Sequence, residues 1–240
     1  MSTRAGDVEQ LAGRFDLPPG AAQRLGALLD LLEHDSRAPT SVTARGPALD
    51  VHVADSLVAL GLPIVRSATA IADVGSGPGL PGLALAIALP GARVRLVESS
   101  RRKCRFLARA VTEAEVRNAS VVCARVEDWS AGRESCDLVT ARAVGPLAVV
   151  AEYAAPLLRL EGALVAWKGA RDADEERDAA AAAQVVGLEP EDIVAVRPYS
   201  RSRDRHLHVF RKTAETPMRF PRRAGMARKR ALRAQSGDFS

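Results

Sequence analysis

The stretch Ile71-Ala72-Asp73-Val74-Gly75-Ser76-Gly77-Pro78-Gly79-Leu80-Pro81-Gly82 decides the fold. Ala68 to Val74 is a short apolar run that reads as a buried strand, and Leu83 to Leu89 is an Ala/Leu-rich run that reads as a helix. Between them, glycines fall at positions 75, 77 and 79. Strand, glycine turn and helix are the layout of a mononucleotide-binding unit. Glycine serves there because the backbone turns through positive φ and a ligand approaches without meeting a Cβ. The spacing selects the ligand. A dinucleotide fingerprint would place its third glycine at position 80, which is Leu80. The pattern here is instead D-x-G-x-G-x-G, the form of S-adenosylmethionine (SAM) methyltransferases. SAM has an amino-acid end and no pyrophosphate, which fits a carboxylate, Asp73, at the strand tip.

Working outward, Arg93–Val97 reads as the second strand and ends at Glu98, 23 residues beyond Gly75. An acidic residue about 20 residues past the glycine turn accepts hydrogen bonds from ribose hydroxyls in nucleoside-binding folds of this type. Ser99–Ala114 follows as a basic helix with Arg101, Arg102, Lys103 and Arg105, and Ala119–Cys123 as a third strand. The turn Arg125-Val126-Glu127-Asp128-Trp129 stands where such folds hold an adenine. Further strands are expected at Asp137–Thr140, leading to Arg142, at Ala163–Trp167, ending at Lys168-Gly169, and at Asp192–Val196 and His206–Arg211. Helices are expected at Pro146–Leu158 and Arg171–Val186. Seven strands with alternating helices through the fifth predict an α/β, doubly wound, mostly parallel sheet of Rossmann-like type. The last two strands have no helix between them, so one is expected antiparallel at the edge.

Upstream, residues 8–16 and 20–35 have the periodicity of amphipathic helices, with Leu25, Leu28, Leu29 and Leu32 on one face. A third helix is expected over Ala48–Leu60. In it His52, Asp55 and Ser56 share a face, either as a structural histidine cluster or as a polar group at the mouth of the cofactor site. Three units result: a helical extension over residues 1–60, a SAM-binding domain over 61–212, and a basic, aperiodic, mobile arm over 213–240.

Composition sets further limits. The 240 residues are 47% hydrophobic and 26% charged, ordinary for a globular protein. No run approaches a membrane span, and the N-terminus has no apolar signal core, so a cytoplasmic protein without a membrane partner is expected. Cys104, Cys123 and Cys136 form an odd set without metal-ligand spacing, read as small buried apolar residues in a reducing compartment, with no metal site. The net charge of +5 is unevenly spread. From Arg197 onward there are 13 Lys/Arg against 3 Asp/Glu, a net of +10, while residues 1–196 carry 21 against 26, a net of −5. A basic segment on an acidic body predicts a polyanionic partner, most simply nucleic acid.

The ordered set His52-Val53-Ala54-Asp55-Ser56, Asp73 to Gly82, Arg105-Phe106-Leu107, Arg125-Val126-Glu127, Arg142-Ala143, Lys168-Gly169, Arg205-His206-Leu207 and the basic Arg219–Gly225 resembles the bacterial small-subunit ribosomal RNA guanine-N7 methyltransferases, the RsmG (GidB) family. The resemblance covers roughly residues 20–230. It implies SAM as methyl donor and 16S ribosomal RNA in the small ribosomal subunit as substrate, with the protein acting as a monomer. Together with the pattern reading, the cofactor residues expected are Asp73, Gly75, Gly77, Gly79, Leu80, Glu98, Val126, Glu127 and Arg142. Arg102, Lys103, Arg125, Lys168, Arg222 and Arg223 are the RNA-facing candidates. Arg142 and Lys168 are positioning candidates, with no catalytic residue assigned. Two departures stand out: Ser41-Val42-Thr43 where many members have Asn-Leu-Thr, and Ala227 where a proline is common.

Guanine N7 has an exposed lone pair, so attack on a methyl group needs positioning and no prior proton removal. The end of the fourth strand carries neither the Asn/Asp-Pro-Pro-Tyr/Phe motif of exocyclic-amine methylation nor a Pro-Cys nucleophile for carbon methylation; Arg142 stands there instead. Aromatic residues are only 4%, which leaves Trp129 and Trp167 as the candidate stacking surfaces. The competing readings are a SAM enzyme acting on another substrate, a nucleotide-dependent oxidoreductase, disfavoured by Leu80, and a non-catalytic RNA-binding module on the same fold.

Overall fold

A computed structural model describes residues 2–234. Its centre is a seven-stranded sheet in the order β3-β2-β1-β4-β5-β7-β6. The strands are β1 Ala70–Val74, β2 Arg93–Val97, β3 Ala119–Val122, β4 Cys136–Arg142, β5 Leu158–Lys168, β6 Leu188–Val196 and β7 Arg205–Lys212. All five residues of β1 are buried, as expected of a central strand covered on both faces. It pairs in parallel with β2, Ala70 opposite Arg93, and with β4, Ile71 opposite Leu138.

The sheet departs from expectation at one side. The antiparallel strand is not at the edge: β7 lies between β5 and β6 and is antiparallel to both. β7 fills the interior position because its inward residues, Leu207 to Phe210, are buried, whereas β6 alternates little and runs exposed from Glu189 to Asp192, the pattern of an edge. β5 and β6 also begin earlier than their apolar runs suggest. Glu161 and Gly162, a turn-like pair before the apolar run, lie inside β5, where Glu161 takes a φ of 63° and the register to β4 shifts.

Helices cover both faces. They are α1 Ser2–Arg14, α2 Ala21–His34, α3 Arg45–Ala48, α4 Asp55–Leu57, α5 Pro63–Arg66, α6 Gly82–Ala88, α7 Arg101–Glu113, α8 Leu147–Ala154, α9 Ala173–Val186 and α10 Met226–Lys229. The single helix expected over Ala48–Leu60 is composite: α3, a π-helical stretch Leu49–Ala54, α4, and a 3-10 turn Val58–Gly61. One apolar core joins α1, α2 and the composite helix to α6, α7 and the sheet, through Leu25, Leu28, Leu57, Leu83, Leu96 and Phe106. The other lies under α8 and α9 and takes in Phe220 and Ala227 from the chain beyond β7. The N-terminal helices therefore share a core with the sheet.

The segment expected to be a loose arm is docked as far as residue 234; residues 235–240 lie outside the described residues. Arg222 bonds the carboxylate of Glu152 in α8, with Nη2 2.6 Å from Oε2 and Nε 2.9 Å from Oε1. Arg133 donates to the carbonyls of Phe220 and Thr216 at 3.0 and 3.2 Å. Lack of long-range helical periodicity in this segment reflects a chain of turns and the short α10, anchored by these arginines.

Candidate active site

All strands except β7 end on one side of the sheet, and β7 starts there, so Gly75, Glu98, Arg142, Lys168, Val196 and Arg205 converge on a single rim. The strand order reverses at β1, which opens the crevice between β1 and β4 typical of ligand sites in open α/β sheets.

The glycine turn leaves β1 at Gly75, whose φ is 69°. A Cβ there would come 2.8 Å from Val144 Cγ2, so a side chain would fill the space between the turn and the loop after β4. Gly82 opens α6 against β1; a Cβ would meet Asp73 Cβ at 2.8 Å. That contact shows what Asp73 does. Its carboxylate accepts from Gly82 N–H at 3.2 Å and from the Thr140 hydroxyl at 2.9 Å. Burial without a full counter-charge pushes its pKa up to about 6. Asp73 points into the sheet beneath the turn and braces it, and is not among the residues of the cavity that follows.

Glu98 performs the opposite role. It is 6% exposed yet lines a cavity of about 360 Å³ with Gly75, Ser100, Lys103, Arg125, Val126, Glu127, Val144, Tyr153 and Arg228. Glu98 Oε2 accepts from Gly77 N–H at 3.2 Å and Oε1 from Ser100 N–H at 2.8 Å, and Lys103 Nζ lies 3.8 Å from Oε2. These bonds fix the carboxylate, and its four lone-pair sites leave capacity for a diol. The residues fit a nucleoside: a fixed carboxylate, a Cβ-free turn and an apolar Val126 beside Glu127. Gly77, Gly79 and Leu80 do not line this cavity: Gly77 N–H is held by Glu98, Gly79 packs against Leu83, and Leu80 is 3% exposed and lies in the core.

A second cavity, about 230 Å³, adjoins the first at Ala143 and is lined by Asp55, Arg142, Gly145, Trp167, Lys168, Arg205 and His206 among others. Arg142 belongs here and not to the nucleoside cavity. Its Nη1 donates to Asp55 Oδ2 at 2.7 Å and lies 3.4 Å from the carbonyls of Val51 and His52. The π-helical stretch turns those carbonyls toward the guanidinium. Trp167 Nε1 donates to the Asp55 carbonyl at 2.7 Å, and Arg205 lies 3.9 Å from Asp55 Oδ1. Lys168 pairs with Glu175 at 2.6 Å, and His206 Nδ1 donates to the Gly169 carbonyl at 2.9 Å. His52 faces away: its Nε2 meets Thr40 Oγ1 at 2.9 Å and the Val42 carbonyl at 3.1 Å, pinning the Ser41–Thr43 loop. Burial and the Arg142 cation hold its pKa below the usual imidazole value. Of the three residues that share the expected helix face, only Asp55 lines the second cavity.

The RNA-facing candidates separate. Arg102, Arg125 and Arg223 are exposed. Lys103 and Lys168 are ion-paired at the two cavities, and Arg222 is consumed by Glu152, which is 1% exposed. Trp129 lies against Gly132, whose Cβ would meet its ring at 2.5 Å, and lines neither cavity. The cysteines also differ from expectation: Cys104 of α7 and exposed Cys123 beyond β3 form a disulfide with Cα atoms 5.8 Å apart, because α7 packs along β3, and only Cys136 is a free buried thiol. Residues that sequence reasoning did not single out for the site include Ser100, Tyr153, Val144 and Arg228 in the first cavity and Gly145 and Val196 in the second; none lies in a recognisable motif.

With this geometry in place, the comparisons are specific. The family model described as "GidB: rRNA small subunit methyltransferase G" matches residues 28–207. The chain belongs to this family. Relatives named ribosomal RNA small subunit methyltransferase G include one from Rubrobacter xylanophilus, 43% identical over 188 residues, spanning 76% of this chain and 72% of that protein. Another, from Pelotomaculum thermopropionicum, is 38% identical over 80% of this chain and 82% of its own length. Among solved structures, precorrin-6y C5,15-methyltransferase from Geobacter metallireducens superposes with a TM-score of 0.51 at 17% identity, over 66% of this chain and 88% of that one. The antibiotic-resistance methyltransferase Kmr does so at 0.51 and 18%, over 65% and 92%. These two show the Rossmann-like fold, and the family places this chain among the rRNA small-subunit methyltransferases.

Proposed function

We infer that this methyltransferase G family member uses SAM to methylate N7 of a guanine in 16S ribosomal RNA of the small subunit. The observation that carries the reading is the meeting of two cavities at Ala143: one has a nucleoside's partners and the other is lined by Arg142, Trp167, Lys168, Arg205 and His206. Gly75, Glu98, Val126 and Glu127 would hold SAM, Glu98 accepting from the ribose hydroxyls. SAM, when bound, supplies a methyl group made electrophilic by its sulfonium.

The chain's own contribution is positioning. N7 attacks with a lone pair, so no group has to remove a proton first. The polar side chains of the second cavity are suited to holding: Arg142 is fixed on Asp55, Lys168 on Glu175, and His206 on the Gly169 carbonyl. Holding reactants in a productive geometry is itself a large part of catalysis. Cations at this mouth favour the phosphates that flank a target base, and Trp167, 7% exposed with its indole N–H held by the Asp55 carbonyl, forms the apolar floor of the cavity. Arg102, Arg125 and Arg223 supply further exposed positive charge for the RNA backbone.

Among the described residues, no helix is long and apolar enough to cross a membrane. The ribosomal substrate implies action in the cytoplasm, as a monomer that sees one RNA site at a time; light scattering of the purified protein checks the latter. The deciding experiment compares 16S RNA from cells with and without the gene. N7-methylguanine gives strand scission after borohydride and aniline treatment. Scission that appears only with the gene supports the reading, and an identical pattern in both refutes the N7 assignment.

A further inference from the structure

We propose that the segment from Arg222 to Arg228 backs one wall of the cofactor pocket, and that Arg228 is a positioning residue for the adenosine end of SAM rather than only an RNA-binding cation. Three anchors hold this segment, and all belong to the pocket or its backing. Arg222 grips the buried carboxylate of Glu152, one residue from the pocket-lining Tyr153. The chain then turns at Gly225, in the left-handed region at φ 81°, and Gly225 N–H donates to Glu127 Oε1 at 2.9 Å. Arg228, in the helical turn that follows, donates from Nη2 to the Val144 carbonyl at 2.9 Å. Ala227 between them is buried in the core under α8.

Each anchor acts on a group with a role at the nucleoside. Glu127 stands at the adenine turn after β3; the bond from Gly225 fixes one of its oxygens and leaves acceptor capacity for an amine. Val144 is the residue whose side chain backs Gly75 of the glycine turn, and it follows Ala143, which lines both cavities. Arg228 therefore ties the C-terminal segment to the loop that separates the cofactor from the base. Tyr153 completes the group: its hydroxyl interacts with both Glu127 and Arg228, and burial together with the Glu127 charge keeps it protonated beyond the usual phenol range. An arm held only by its attraction to RNA would have no need of these bonds to the cofactor side.

The inference rests on SAM as the cofactor, and not on which atom of the RNA is methylated. The test is calorimetric titration of SAM and of S-adenosylhomocysteine into the full chain, Arg228→Ala, Lys229→Ala and a chain lacking residues 217–240, with no RNA present. Arg228→Ala is expected to weaken both ligands by about tenfold, the order of one charge-assisted hydrogen bond. The two losses should be equal, because the ligands share the adenosine and differ at sulfur. Lys229→Ala, one residue along the same exposed turn, should bind as the wild type does. The shortened chain, where circular dichroism shows it folded, should lose at least as much as Arg228→Ala. Wild-type affinity of Arg228→Ala for both ligands overturns the proposal, as does a loss confined to one of them, which would put Arg228 at the sulfur. A wild-type chain that binds no SAM would instead overturn the cofactor reading itself, so the two failures are distinct.

Discussion

Asp73→Asn is the perturbation whose consequence follows most directly from the structure. The Asp73 carboxyl has a pKa of about 6 in the fold against 3.8 for a free side chain, mainly because it is buried, with its Thr140 and Gly82 bonds opposing the shift. A raised carboxyl binds its proton more tightly in the native than in the unfolded state. Between pH 3.8 and about 6 the native state holds more protons, so stability falls as pH rises through that window and stays lower above it. At about 1.4 kcal/mol for each pH unit, the loss is on the order of 3 kcal/mol. Asparagine keeps the shape, can accept from Gly82 N–H through its oxygen, and can offer its amide to the Thr140 hydroxyl. It has no charge to desolvate. Urea unfolding of both proteins at intervals from pH 4 to 8 reads the effect. The difference in unfolding free energy, variant minus wild type, should rise by about 2 kcal/mol between pH 4 and 7 and then level off. Every other titrating group is common to both chains and cancels. Parallel pH profiles would show that Asp73 is not a buried, desolvated carboxylate.

Four further outcomes follow from the same geometry. Glu98→Ala removes the acceptor held by Gly77 and Ser100, and calorimetry should show SAM affinity reduced by roughly tenfold or more, the value of a hydrogen bond to a charged group. Gly75→Val puts a branched side chain at a φ of 69° and into Val144; SAM should fail to protect this variant in a thermal-shift assay while circular dichroism stays native-like. Arg142→Ala should abolish methyl transfer with SAM affinity retained, since Arg142 lines the second cavity and not the one that holds Glu98; a parallel loss of SAM binding would return it to the cofactor. Arg222→Ala strands the buried Glu152 carboxylate, and breaking such a pair costs about 3–5 kcal/mol, so the chain should unfold at clearly lower urea than Arg223→Ala, whose side chain is exposed.

The parts of this protein legible in its sequence are those written in local pattern. A short apolar run from Ala68 to Val74, three alternate glycines and an acid at the next strand tip announce β1, its turn and Glu98, because each rests on short-range backbone geometry. The residues not legible there are those whose surroundings depend on distant partners. Asp73 sits where a cofactor ligand would, but Thr140, 67 residues away, turns it inward. Arg222 looks like one more cation in a basic run until Glu152, 70 residues earlier, is found beneath it. The insertion of β7 between β5 and β6 likewise follows from which strand has two faces to bury, a property of the assembled sheet.

That division has a chemical consequence at the site. Charge composition alone treats every arginine beyond β7 as equivalent, and the polyanion reading weights them equally. The fold does not: Arg222 neutralises a buried carboxylate, Arg228 holds the Val144 carbonyl, and Arg223 faces solvent. Arg222, already neutralised by Glu152, has no free charge to exchange for counterions, whereas an exposed cation such as Arg223 has, and each such phosphate contact lowers the slope of log affinity against log salt by about 0.7 on single strands and 0.9 on duplex. The salt slope of RNA binding should therefore fall for Arg223→Ala and hold for Arg222→Ala in whatever fraction remains folded. The net charge of the C-terminal segment overstates the charge it has free for a polyanion, because that of Arg222 is already neutralised within the protein by Glu152.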